Sequence, residues 1–200
     1  MNVTARVAEW EGKGAATLRN AGRHRTALVT GATGEIGASV ARKFAAEGWH
    51  LLLQYRRDEK AAKKLALDCH AQGVTAKIIK ADLEKATDVD GLASAISRIS
   101  DLGAIVHTAC PPVSGKLAAL AAVNFVAFEA IIKAGLPAML RRQSGATVFV
   151  GSTAMDRGLR GWEQYAAAKA MGQNAVSILD RSYARFGVRG LTVSPGFVQS

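Results

Sequence analysis

Six short apolar runs alternate with longer stretches of helical period from Thr26 onward, and no other feature narrows the fold as far. The runs are Thr26–Thr30, His50–Tyr55, Lys77–Lys80, Ala104–His107, Ala146–Val150 and Leu191–Val193. They are nearly uninterrupted, as strands buried on both faces require. After the first run, Ile36, Val40 and Phe44 recur at four-residue spacing in a helix read from Ile36 to Glu47, with Gly48 as its stop. Asp58 caps a second helix that ends near Gly73, and Thr87 is read as the cap of a third, with Leu92, Ile96 and Ile99 in phase. Lys116–Leu140 reads as mostly helix, bent or ended by Pro137, and Trp162–Phe186 as one long helix. This alternation predicts a doubly wound α/β fold, a parallel sheet between two helical layers.

The chain has 200 residues, 49% hydrophobic and 21% charged, which suits one domain with a full core and excludes disorder. Residues 1–24 stand apart as a basic extension holding Arg6, Lys13, Arg19, Arg23 and His24, and residues 25–200 form the domain. No apolar run is read as approaching a membrane span, and no secretory signal is expected. Cys69 and Cys110 form no disulfide framework and no spacing suggests a metal site, so a reducing, cytoplasmic setting is expected. The net charge of +10 admits nucleic acid, an anionic membrane or an acidic partner. Few aromatics accompany the basic residues and no recognition motif is present, so no nucleic-acid or membrane partner is expected. The charge is read as a solvated surface around a site for a phosphorylated ligand.

The first strand ends in Thr30-Gly31-Ala32-Thr33-Gly34-Glu35-Ile36-Gly37, with three glycines three residues apart where strand gives way to helix. Such a turn lets the backbone approach a pyrophosphate and aims helix N–H groups at it. The second strand ends in Tyr55-Arg56-Arg57, the point that faces an adenosine ribose in a dinucleotide fold. An acidic residue there would bind a 2′-hydroxyl, whereas a guanidinium matches a 2′-phosphate, so the expected cofactor is NADP(H). Tyr165 and Lys169 lie one turn apart on the long helix, where an ammonium is expected to lower the phenol pKa from about 10 and make Tyr165 a general acid or base. Ser152 follows the fifth strand and can hydrogen-bond a substrate carbonyl, and Asn124 sits inside the preceding helix.

In order and spacing, Asn124, Gly151-Ser152, Tyr165-Ala166-Ala167-Ala168-Lys169-Ala170 and Pro195-Gly196-Phe197, with the glycine turn, resemble the short-chain dehydrogenase/reductase family from Thr26 to Gly196. Within it the chain looks most like 3-oxoacyl-carrier-protein reductases. The resemblance implies a Rossmann-type three-layer fold and hydride transfer between nicotinamide and a carbonyl or alcohol. It assigns Tyr165 as proton donor, Ser152 as carbonyl orienter, Lys169 to the nicotinamide ribose and Asn124 to a water in a proton relay. It also implies that Thr30, Gly31, Thr33, Gly34, Glu35, Ile36 and Gly37 surround the pyrophosphate, with Tyr55, Arg56 and Arg57 at the ribose. Asp82 and Leu83 would lie at the adenine, Thr108 and Ala109 along the cofactor, and Pro195 and Gly196 beside the nicotinamide. A carbonyl substrate carried on acyl carrier protein or coenzyme A and a homo-oligomer follow from the same resemblance.

The chain departs from that pattern at four places. Gly34-Glu35 stands where a basic residue and glycine are usual. His107-Thr108-Ala109-Cys110 replaces an Asn-Asn-Ala-Gly segment, and the distance from Cys110 to Asn124 is short. The chain is C-terminally shortened, stopping at Ser200 before the usual substrate lid and seventh strand. The altered His107–Cys110 segment and the missing C-terminal segment motivate an alternative reading, a non-catalytic or partner-dependent subunit that binds nucleotide or scaffolds a fuller reductase.

Overall fold

The apolar runs become six parallel strands: β1 (Thr26–Thr30), β2 (His50–Tyr55), β3 (Ala76–Lys80), β4 (Leu102–His107), β5 (Gly145–Val150) and β6 (Val188–Val193). The computed structural model describes residues 25–196; the extension expected over residues 1–24, and Phe197 with the residues after it, lie outside the described residues. Strand order is β3-β2-β1-β4-β5-β6. The chain winds outward from β1 to β3 and then crosses back to β4, so the connections after β1 and β4 diverge and open a crevice beyond the strands' C-terminal ends.

Helices α1 (Glu35–Ala46) and α2 (Glu59–His70) cover one face. The other carries α3 (Ala86–Ser97), α4 (Leu117–Ala121), a π-helical turn (Ala122–Ala127), α5 (Phe128–Arg141) and, beyond the short α6 (Ala154–Arg157), α7 (Glu163–Tyr183). A turn of 3-10 helix, Ala184–Phe186, follows α7. Side-chain alternation divides the strands between two cores: Leu28 and Leu52 point into one, and Ala27, Val29, Leu51 and Leu53 into the other.

The differences from the sequence reading have local causes. β4 starts at Leu102 because Gly103 is a bulge: pairing steps from Thr26–Leu102 to Ala27–Ala104, and the Trp49 ring occupies the space a Cβ would need. β6 starts at Val188 because Gly190 lets α7 lie close; a Cβ there would come within 3.1 Å of the Asp180 nitrogen. Thr87 is not a cap. Helix α3 begins at Ala86 without a side-chain cap, and Asp88 Oδ2 instead accepts from the Asp82 N–H at 2.8 Å. Pro137 ends nothing; it is exposed inside α5, where the carbonyl it strips of a partner can face water. The expectation that no run approaches a membrane span is also corrected. Leu117–Arg141 is 25 residues long, and an 18-residue window within it has a mean hydropathy of 1.8, enough to cross a membrane by length and composition. Leu120, Val123, Phe128, Ile131 and Met139 on this run are buried, which accounts for much of its apolar character through packing on the sheet.

Candidate active site

β1 delivers the chain into the glycine turn, and two of the three glycines answer to the protein behind them. Gly31 has φ +63, and a Cβ on it would lie 2.8 Å from the Ala109 backbone. At Gly37 a Cβ would lie 2.9 Å from Thr108 Oγ1. Gly34 has far more room, with only the Gly31 carbonyl at 3.4 Å. It is the N-cap of α1 and supplies no side-chain cap, so the orphan N–H groups of the first turn are available to an anion.

A cleft of about 320 Å³ opens over this turn. Gly31, Thr33 and Gly34 line it from the turn, Arg56 and Arg57 from the end of β2, Asp82 and Leu83 from the end of β3, and Thr108 and Ala109 from the end of β4. Gln54 also lines it, and sequence reasoning missed it. Its Oε1 accepts from the Gly31 N–H at 2.8 Å and its Nε2 donates to the Ala81 carbonyl at 2.7 Å, tying the glycine turn to the end of β3. The available signal was an amide inside an apolar strand, which must find buried partners.

A second cleft of about 260 Å³ lies beyond β5. It gathers Ser152, Tyr165 and Lys169, with Ile36, Thr108, Pro195 and Gly196 around them and Arg157 and Trp162 at its edge. The N–H of Gly151 donates to Val193 and that of Thr153 to Pro195, which pins the segment after β6 against the serine. Lys169 is buried and donates to the Val150 carbonyl at 2.8 Å, with its Nζ 5.8 Å from the Tyr165 ring centre. Trp162 meets Tyr165 edge-on at 5.6 Å. Ser152 Oγ accepts from the Ala154 N–H at 3.2 Å, which leaves its own proton free to donate.

The electrostatics differ from the expectation for the tyrosine. Burial pushes the Tyr165 phenol above its ordinary value, charge on Cys110 adds to the rise, and hydrogen bonding from Ser152 opposes it. Burial likewise lowers the Lys169 ammonium, against a smaller upward pull from Cys110. The two groups lie together, and in this arrangement desolvation governs both.

Five sequence-nominated residues stand outside the lining of both clefts. Thr30 and Tyr55 are buried behind the first cleft, Gly37 is packed beneath the turn, and Glu35 is exposed. Asn124 occupies the π-helical turn, a local geometry that often marks functional sites. It is fully buried; its Nδ2 donates to the Leu120 carbonyl at 2.9 Å and approaches Cys110 Sγ at 3.6 Å, while its Oδ1 has no hydrogen-bond partner. Cys110, nominated for no site in the sequence, is exposed and lines both clefts. His107 is fully buried and pairs with Thr30 Oγ1 at 3.0 Å. Burial first, then the charge of Lys169, push its pKa down to about 3, with the Val123 carbonyl opposing. It is neutral at physiological pH.

A crevice at the switch point of a parallel sheet, with uncapped helix N–H groups on one side and Ser152, Tyr165 and Lys169 on the other, has the layout of a dinucleotide-binding α/β protein. Comparison with known proteins narrows the class: residues 25–200 match the short chain dehydrogenase family, and the chain belongs to this family of oxidoreductases. It is 32% identical to an uncharacterised oxidoreductase, YmfI, of Bacillus subtilis (strain 168), over 88% of this chain and 76% of that one. It is 28% identical to the 3-oxoacyl-(acyl-carrier-protein) reductase FabG of Staphylococcus aureus (strain N315), over 88% of this chain and 75% of the relative. Among solved structures, a short-chain dehydrogenase from Sphingobium yanoikuyae in complex with NADPH superposes with a TM-score of 0.82 at 26% identity, covering 88% of this chain and 72% of that one. A 3-oxoacyl-(acyl-carrier-protein) reductase from Agrobacterium tumefaciens C58 with NADP bound gives 0.81 at 29% identity, covering 89% and 72%.

Proposed function

We propose that this chain is an NADPH-dependent reductase of a carbonyl, with a 3-oxoacyl thioester on acyl carrier protein or coenzyme A as the favoured substrate class. The convergence of Ser152, Tyr165 and Lys169 on one cleft carries the reading. The uncapped start of α1 suits a pyrophosphate, and Arg56 and Arg57 suit a ribose 2′-phosphate. When bound, the cofactor supplies the hydride. Ser152 orients the substrate carbonyl through its hydroxyl, whose oxygen is held by the Ala154 N–H. Tyr165, a phenol that burial pushes above its ordinary value, is the proton donor. Lys169, anchored on Val150, keeps further N–H donors for a ribose hydroxyl and stabilises the phenolate left after proton transfer. Asn124, with its unpartnered amide oxygen, is assigned the water of a proton relay. Asp82 is assigned to the adenine and Pro195-Gly196 to the nicotinamide.

We further propose a homo-oligomer that pairs through its long helices. Val126 in the π-helical turn and Met171 and Ile178 on α7 expose apolar side chains there.

The test is fluorescence titration of the chain with NADPH and NADH, followed by turnover of carbonyl substrates by wild type and Tyr165→Phe. We expect turnover to fall by about 100-fold or more, with NADPH affinity within about threefold. Undiminished turnover in the variant overturns the mechanism. NADPH binding without turnover in the wild type shifts the reading to a nucleotide-binding partner subunit.

A further inference from the structure

The arginine nominated for the 2′-phosphate is already engaged. Arg56 Nη1, from the end of β2 that lines the first cleft, donates to Glu84 Oε1 at 2.9 Å in the segment after β3, next to Asp82 and Leu83 of the same cleft. Glu84 is held from its own side as well, since its N–H donates to Asp82 Oδ1 at 3.2 Å. Both partners of the ion pair keep about a third of their side-chain surface in solvent, at 34% and 35%. An ion pair this exposed contributes little to stability and gives way readily to a more highly charged partner.

We infer that Glu84 is a specificity-determining residue that lowers this chain's selectivity for a 2′-phosphorylated nucleotide by competing for Arg56. The inference rests on the reading of Arg56 as the 2′-phosphate contact. Guanidinium grips phosphate best with two parallel N–H bonds. In this structure one terminal nitrogen is committed to a carboxylate. A 2′-phosphate arriving at Arg56 must displace or share that carboxylate, and it meets a like charge at the distance of a shared hydrogen-bond donor. A nucleotide with a free 2′-hydroxyl meets neither obstacle. Arg57 lines the same cleft and is exposed, so the site keeps a second cation when Arg56 is engaged.

The test compares 2′,5′-ADP with ADP, which probe the adenosine half of the cleft without the nicotinamide half. Affinities are measured by calorimetric titration on the full chain, wild type and Glu84→Gln, at low and high salt. Glu84→Gln is expected to tighten 2′,5′-ADP by about three- to tenfold at low salt, with the gain shrinking at high salt, and to leave ADP within about twofold. Glu84→Ala, which cannot hydrogen-bond Arg56 at all, should show the same selective gain. Weaker 2′,5′-ADP binding in both variants overturns the inference, because Glu84 would then be holding Arg56 in place for the phosphate. Equal changes for both nucleotides, or no change, overturn it too. A wild type that shows no preference for 2′,5′-ADP, and gains none in either variant, instead overturns the NADPH reading itself.

Discussion

Replacing His107 with phenylalanine tests the electrostatics of the site through folding stability. The imidazole packs against both Phe128 and Phe149, at ring-centre distances of 4.6 and 5.8 Å, and those two rings also touch each other at 5.2 Å, so a phenyl ring keeps the cluster. What is lost is the hydrogen bond to Thr30, which should cost about 1–2 kcal/mol at pH 7. The titration acts the other way. His107 has an ordinary value of 6.5 and a folded value of about 3, so the unfolded chain takes up a proton at a pH where the folded chain does not. Its contribution to stability is complete above 6.5 and is lost as pH falls toward 3. The loss amounts to about 1.4 kcal/mol per pH unit, or about 2 kcal/mol by pH 5. Carboxylates titrate alike in both proteins and cancel in the difference. Urea unfolding followed by tryptophan fluorescence should show wild type more stable at pH 7, with the gap closed or reversed at pH 5. A gap of the same size at both pH values would refute a neutral, buried His107.

Two other perturbations reach different parts of the site. Gln54→Leu strips partners from the Gly31 N–H and the Ala81 carbonyl, and should lower unfolding stability by about 2–4 kcal/mol; a loss below about 0.5 kcal/mol would mean that water replaces the amide. In the native protein a maleimide should label Cys110, which is exposed, and spare Cys69, which is buried and whose thiol burial pushes up, and NADPH should slow the labelling. Peptide mapping by mass spectrometry reads the site, and equal labelling of both cysteines would contradict the packing of α2 against the sheet.

Much of the fold was legible because its signals are local. Uninterrupted apolar runs marked every strand, and Asp58 caps α2 as read, accepting from the Ala61 N–H at 2.8 Å. What escaped were elements whose residue choice answers to a distant neighbour. Gly103 and Gly190 look like breakers in sequence, yet both lie inside strands, because Trp49 and α7 occupy the space their side chains would fill. Thr87 has the chemistry of a cap, but the contact that organises that turn comes from Asp88. The π-helical turn at Asn124 has no signature in the apolar period, since one extra residue per turn shifts the phase without changing the composition.

The candidate site divides the same way. Spacing along one helix puts Tyr165 and Lys169 on one face whatever the rest of the chain does, and the glycine turn follows from a strand meeting a helix. Those features the sequence determined by itself. Only the tertiary structure could decide that burial, rather than the lysine's charge, governs the Tyr165 phenol, that Cys110 lines both clefts, and that Glu84 reaches Arg56 from the segment after β3. The physical reason is that desolvation and charge pairing depend on what surrounds a group in space, and here the surroundings come from segments far apart in the chain.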